Sequence, residues 1–94
     1  MLVWGFSPVL LAQNKQIFGI VTDETGSPLP GVSVQVKATT HGIATDMDGK
    51  YAIEAAQGSV LVFSSVGYAT QERTVGAAKV QKLNITLKED TQQL

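Results

Sequence analysis

Val32-Ser-Val-Gln-Val-Lys-Ala38 alternates without a break. Three valines, at 32, 34 and 36, share one side of an extended chain, and Ser33, Gln35 and Lys37 share the other. A helix would scatter these valines around its circumference. A half-buried strand collects them on one face against a core, so this stretch predicts β-structure with one wet side and one dry side.

The same period of two extends in both directions. Upstream, Lys15 to Asp23 reads KQIFGIVTD, with Ile17 and Val21 on one face and Phe18 and Ile20 on the other. Apolar groups on both faces predict an inner strand or one covered late, and Gly19 within it marks a bulge or a close backbone approach. Between these strands, Gly26, Pro28, Pro30 and Gly31 fall within six residues, which predicts a stiff loop. Downstream, Gly42–Thr45 and Lys50–Ala55 flank Asp46-Met-Asp-Gly49, and Tyr51 and Ile53 point the same way. This predicts a hairpin closed at Asp46–Gly49. Val60–Ser65 is apolar on both faces, as a central strand would be. Tyr68–Val75 is polar and suits an edge. Lys82–Lys88 turns Leu83, Ile85 and Leu87 inward and Asn84 and Thr86 outward. Seven strands with no helix predict an all-β, two-sheet sandwich rather than a barrel. Its core is expected to contain Val34, Ile53, Leu61 and Ile85.

Composition narrows the function. Ninety-four residues, 44% apolar and 16% charged, suffice for one small core and no second domain. A net charge of −1 supplies no basic field for nucleic acid. Without cysteine there is no disulfide and no thiolate metal site. The apolar run Leu2–Leu11, ending in Leu10-Leu11-Ala12, resembles the end of a secretory signal peptide. The expected division is therefore residues 1–12 as a signal segment with cleavage before Gln13, residues 13–88 as the sandwich, and residues 89–94 as a flexible tail.

Few residues suggest chemistry. Asp46, Asp48 and Gly49 copy the opening of a calcium loop, but the twelfth position is Gln57, where that loop needs a bidentate glutamate. Asp46 and Asp48 are weak metal candidates, and a turn in which aspartate accepts backbone N–H groups and Gly49 takes positive φ explains them better. His41 is the sole histidine. A catalytic arrangement would have to join it to Asp46 and to Ser64 or Ser65, and no nucleophile-elbow motif surrounds those serines. Glu89 and Asp90 read as a solvated pair. Asn84-Ile-Thr86 matches a glycosylation sequon but lies within a strand pattern rather than a surface loop. Catalytic, cofactor and metal sites are all expected to be absent.

Taken in order, IFGIVTDETGSPLPGVSVQVKATTHGIATDMDGKYAI, LVFSSVGYATQERTVG and LNITLKEDTQQL resemble the carboxypeptidase-regulatory-like domain at the N-terminus of SusC-like TonB-dependent outer-membrane transporters. The resemblance covers Gln16–Leu94. It departs from the usual pattern at Ala38, where glycine is usual, at Ser65, where an aromatic is common, and at Arg73, where an aliphatic is common. The resemblance implies an immunoglobulin-like or transthyretin-like sandwich in the periplasm, associated with the outer membrane and without catalytic activity. Nothing in the chain resembles the zinc ligands of a carboxypeptidase. The partners implied are the transporter's plug and barrel, in the same polypeptide or in complex, and TonB or another periplasmic protein. A free-standing carbohydrate-binding or adhesive sandwich at the cell surface is the alternative. Sugar binding favours exposed aromatic platforms, for which only Phe18, Tyr51, Phe63 and Tyr68 remain outside the signal segment.

Overall fold

The computed structural model describes residues 14–90, and the expected signal segment lies outside them. The described chain forms eight strands and no helix. They are β1 (Lys15–Thr22), β2 (Ser33–Val36), β3 (Gly42–Ala44), β4 (Lys50–Ala55), β5 (Val60–Ser64), β6 (Gln71–Thr74), β7 (Val80–Lys82) and β8 (Ile85–Thr86). Two sheets face each other. One has the order β4-β1-β7, with β8 also on β1, and the other has the order β3-β2-β5-β6.

Burial follows the alternation from which the fold was read. Val32, Val34 and Val36 are buried, while Gln35 and Lys37 are exposed. All four residues expected in the core are there: Val34 and Leu61 have no exposed surface, and Ile53 and Ile85 are at most 5% exposed. Phe63 packs its ring edge against Tyr51 across the sandwich, with centroids 5.3 Å apart and planes at 74°. β1 is an inner strand between β4 and the β7–β8 pair, and β5 lies between β2 and β6. The polar β6 is an edge, as its composition predicts.

The hairpin expected at Asp46–Gly49 does not form. β3 pairs with β2, placing Ile43 opposite Val34, whereas β4 pairs with β1, placing Ile53 opposite Ile17. The turn is real but is a corner that carries the chain from one sheet to the other. Turn chemistry specifies that the chain reverses; burial decides which strand each arm joins. Ile43 serves the core from one sheet and Tyr51 and Ile53 serve it from the other.

Eight strands form rather than seven because β7 adds a pairing over Val80–Lys82, ahead of the expected last strand Lys82–Lys88. Of that strand Ile85–Thr86 remains as β8, with a break at Leu83 and Asn84 between the two. β7 pairs parallel with β1 as Gln16↔Val80 to Phe18↔Lys82, and β8 as Val21↔Ile85 and Thr22↔Thr86. The offset is the same on both sides of the break, so register is kept while Leu83 and Asn84 twist out of the ladder. Leu83 N–H donates to Phe18 C=O at 2.8 Å, but the Leu83 carbonyl turns to accept the Tyr51 hydroxyl at 2.6 Å. Ile20 N–H instead donates to the side-chain oxygen of Asn84 at 3.0 Å. A side chain thus replaces a backbone acceptor.

Gly19 makes this arrangement possible. It sits opposite Tyr51 in the β1–β4 pair, and the Tyr51 hydroxyl reaches Leu83 on the far side of β1. The ring therefore crosses β1 at its one position without a side chain. A Cβ on Gly19 would collide with the Leu83 carbonyl. The close approach read from the sequence is the physical reason for this glycine.

At the C-terminal side, Ala69 N–H donates to Lys88 C=O at 2.9 Å and Asp90 N–H to Gly67 C=O at 3.0 Å. A bridge joins Tyr68 to Glu89. Paired backbone thus runs two residues past the sandwich boundary expected at residue 88.

Candidate functional site

Two loops shaped by aspartate lie at the end of the sandwich where Ser33, Ala44 and Ser64 are side by side. The corner turn is one of them. Asp46 Oδ1 accepts the N–H groups of Asp48 and Lys50, both at 2.9 Å, and Gly49 N–H donates to Asp46 C=O at 2.9 Å. Gly49 adopts φ +75°, and a Cβ there would meet Val21 C=O at 2.7 Å. Only glycine fits. One carboxylate oxygen of Asp46 is thus committed to holding the turn, and Asp48 is exposed beside it. Among the described residues, no three His, Cys, Asp or Glu side chains are arranged to hold a metal ion.

A second carboxylate shapes the proline-rich loop in the same way. Asp23 Oδ1 accepts the Thr25 hydroxyl at 2.7 Å, Thr25 N–H at 2.9 Å and Ser27 N–H at 3.0 Å. These donors, the Thr25 hydroxyl foremost, hold the Asp23 carboxyl below its ordinary pKa. The one buried polar side chain in this region, Thr45, donates to Leu29 C=O at 2.6 Å and accepts Val32 N–H at 2.9 Å. It fastens the loop to the start of β2.

His41 lies at the opposite end of the sandwich. Val36 N–H donates to His41 C=O, and Val36 pairs with Leu61, whereas Ser64 pairs with Ser33 three residues away. At strand spacing that is about 10 Å. The imidazole Nε2 instead lies 3.1 Å from Glu54 C=O. The histidine, Asp46 and the two serines are not brought together, and the arrangement contains no nucleophile–base pair.

A concavity lies near His41, along the side where edge strands β3 and β4 face each other. It is an open groove of about 800 Å³, whose walls include Phe18, Val36, Ile43, Ala52 and Glu54. Phe18, half out of the sheet at 41% exposure, supplies its aromatic surface. The sequence showed Phe18 as apolar. It could not show that β4, and therefore the groove, would lie beside the edge of the other sheet.

The geometry defines a small all-β sandwich whose polar side chains mostly secure turns, with an open edge and, among the described residues, no nucleophile, base and acid brought together. The CarboxypepD_reg-like domain model matches residues 17–94. TonB-dependent receptor SusC of Bacteroides thetaiotaomicron is 45% identical over 81 residues, which cover 86% of this chain and 8% of that protein. TonB-dependent receptor P39 of Formosa agariphila is 38% identical over 95 residues, covering 100% of this chain and 9% of that protein. The chain therefore spans less than a tenth of the length of these curated relatives. Among solved structures, a chain of a type II cohesin–X-dockerin complex from Acetivibrio cellulolyticus superposes with a TM-score of 0.66 at 21% identity, over 80% of this chain and 58% of that one. That likeness is one of fold alone. The chain belongs to the CarboxypepD_reg-like domain family and is homologous to part of the SusC-type TonB-dependent receptors.

Proposed function

We propose that this chain is a non-catalytic periplasmic domain, N-terminal to the plug and barrel of a SusC-like TonB-dependent nutrient transporter, where it acts as a folded interaction and spacer module. The observation that carries this reading is the 45% identity to SusC over 86% of the chain. The structure supports it in two ways. The turn carboxylates Asp46 and Asp23 are engaged with backbone N–H groups. His41 is remote from Ser64, Ser65 and Asp46. In this reading Asp46 and Asp48 shape a corner and no metal is required. The domain's partners are the transporter's own plug and barrel, and TonB or another periplasmic protein that engages the neighbouring extended segment by strand addition.

The test is made in the receptor that carries this domain. Deleting residues 16–87 is expected to leave the barrel folded in the outer membrane and cross-linking to TonB intact. An epitope placed at Met47, which is 83% exposed at the corner turn, is expected to be reached by antibody only after the outer membrane is permeabilised. Labelling of that epitope on intact cells would replace this reading with the cell-surface, carbohydrate-binding one. Loss of barrel assembly on deletion would make the domain a folding element.

A further inference from the structure

β4 is the longest strand at the edge of either sheet, with six residues. The hydrogen bond from Val21 N–H to Gly49 C=O, 2.8 Å, sets the phase of the β1–β4 ladder. By the alternation of an antiparallel pair, the backbone groups of Tyr51, Ile53 and Ala55 point toward β1, and those of Lys50, Ala52 and Glu54 point away from it. The outward groups are partly used. Lys50 N–H donates to Asp46 Oδ1 at 2.9 Å, Lys50 C=O accepts Asp46 N–H at 3.0 Å, and Glu54 C=O lies 3.1 Å from His41 Nε2. Among the described residues, Ala52 N–H, Ala52 C=O and Glu54 N–H have no backbone partner on that side. Such a row is a template for another strand.

The side chains on the outer face specify which strand fits. Lys50, Ala52 and Glu54 are all exposed, and the one ion pair among the described residues is Lys37–Glu72 at 3.4 Å. The sequence Lys50-Tyr-Ala-Ile-Glu54 is its own complement about Ala52. In an antiparallel pairing of two such strands centred on Ala52, each Lys50 stands opposite Glu54 of the second copy, at the close distance where cross-strand charges attract. The small Ala52 faces its own equivalent, so nothing bulky stands on the axis.

The backbone fits the same register. Pairing centred on Ala52 makes two bonds between the alanines and two from Glu54 N–H to Lys50 C=O of the other copy. The bonds it forgoes are those from Lys50 N–H to Glu54 C=O, the two groups that Asp46 and His41 already occupy. Lys50 C=O already accepts Asp46 N–H at 3.0 Å, so the incoming Glu54 N–H has to share that acceptor through its second lone pair. The other long edge, β6, has four residues, and its Glu72 is already engaged by Lys37.

We propose that β4 pairs with β4 of a second copy of this chain, antiparallel and two-fold symmetric about Ala52, joining two β4-β1-β7 sheets into one. One strand per copy buries a small area, so the association is weak and depends on local concentration.

Sedimentation equilibrium of the full chain between about 10 µM and about 1 mM tests this, with dimer expected in the upper part of that range. Lys50→Glu and Glu54→Lys are each expected to weaken the dimer on the order of tenfold, since each sets like charges opposite each other twice. The double exchange Lys50→Glu with Glu54→Lys is expected to restore it, which a merely structural role for either residue would not do. Ala52→Pro removes the central donor and is expected to abolish the dimer. Circular dichroism of each variant verifies the fold. A chain that stays monomeric to about 1 mM overturns the proposal and leaves the edge to a different extended peptide. A dimer indifferent to the charge exchange and to Ala52→Pro also overturns it.

Discussion

In the β3-β2-β5-β6 sheet every neighbouring pair is antiparallel, and two of the three pairs join strands consecutive in the chain. In the other sheet the first strand pairs in parallel with the last two, across 64 positions of sequence where Ile20 meets Asn84. The first sheet is held by repeated burial, with Val34, Leu61 and Phe63 each removing side-chain surface from water. The second needs the same burial and also a set of individual polar contacts: the Tyr51 hydroxyl on Leu83, the Asn84 side chain on Ile20, and Gly19 clearing the path. Burial tolerates many sequences, whereas these contacts each depend on one atom. The two sheets should therefore fail differently when perturbed.

The largest effect is expected from Val34→Asp. Val34 has no exposed surface and pairs with both Ile43 and Phe63, so a carboxylate there would be desolvated with no donor designed for it. The expected loss is about 4 kcal/mol or more, enough to unfold a domain of this size. Thermal melting followed by circular dichroism measures it. A melt like that of the parent would mean that β2 does not present its valines to the core, and the contrast between the sheets would collapse.

Much of this was legible in the residues. The alternation of Val32, Val34 and Val36 needs no knowledge of a partner strand, because polar groups on one side and apolar groups on the other already specify a half-buried strand. The polar β6 and the doubly apolar β5 likewise announce edge and centre. What could not be read were choices between partners. Asp46 and Gly49 have the chemistry of a reversal whether the next strand returns to β3 or crosses to β1, and the hairpin reading took the nearer one. Asn84 looked like an outward polar residue in a strand because its role requires Ile20 N–H, and nothing local to either residue records the meeting. The groove has the same origin. Its walls come from both sheets, and only the crossing at Asp46–Gly49 sets them side by side.

A smaller and more selective effect is expected in the second sheet from Tyr51→Phe. The ring and its packing on Phe63 remain, but Leu83 C=O loses its donor, at a cost of about 1–2 kcal/mol. The same residue has a pH signature. Burial pushes the Tyr51 phenol well above its ordinary value, because the ionised form would be stranded away from water. A group whose folded pKa exceeds its unfolded one stabilises the fold below the unfolded pKa, near 10 for tyrosine, and the contribution is lost as pH rises beyond it. Urea midpoints of the parent should therefore decline more steeply above about pH 10 than those of Tyr51→Phe, while the two run parallel from about pH 7 to about pH 9. Equal slopes above pH 10 would mean that the hydroxyl is wet and that the Tyr51–Leu83 contact does not help to close the sheet.

The smallest effect falls in the sheet that is easiest to read, and its sign is the informative part. Ala38 sits in the turn between β2 and β3 at φ +67°, the one non-glycine residue with positive φ among those described. It also occupies the position where the family pattern usually has glycine. Two terms oppose each other there. The left-handed conformation costs a residue with a Cβ about 1–2 kcal/mol, and glycine removes that cost. Glycine in turn loses more backbone entropy on folding, by roughly 0.5–1 kcal/mol relative to alanine. The difference favours Ala38→Gly by about 0.5 kcal/mol, which in a domain of this size raises the melting temperature by about 2–4 °C. Ala38→Val should move it the other way, since branching at Cβ sharpens the same clash. If Ala38→Gly instead lowers the melting temperature, the entropy of the unfolded turn outweighs the strain. The Val36–His41 closure would then owe its stability to its hydrogen bonds, Thr39 N–H and Oγ1 on Val36 C=O and Val36 N–H on His41 C=O, rather than to a backbone shape that glycine would ease.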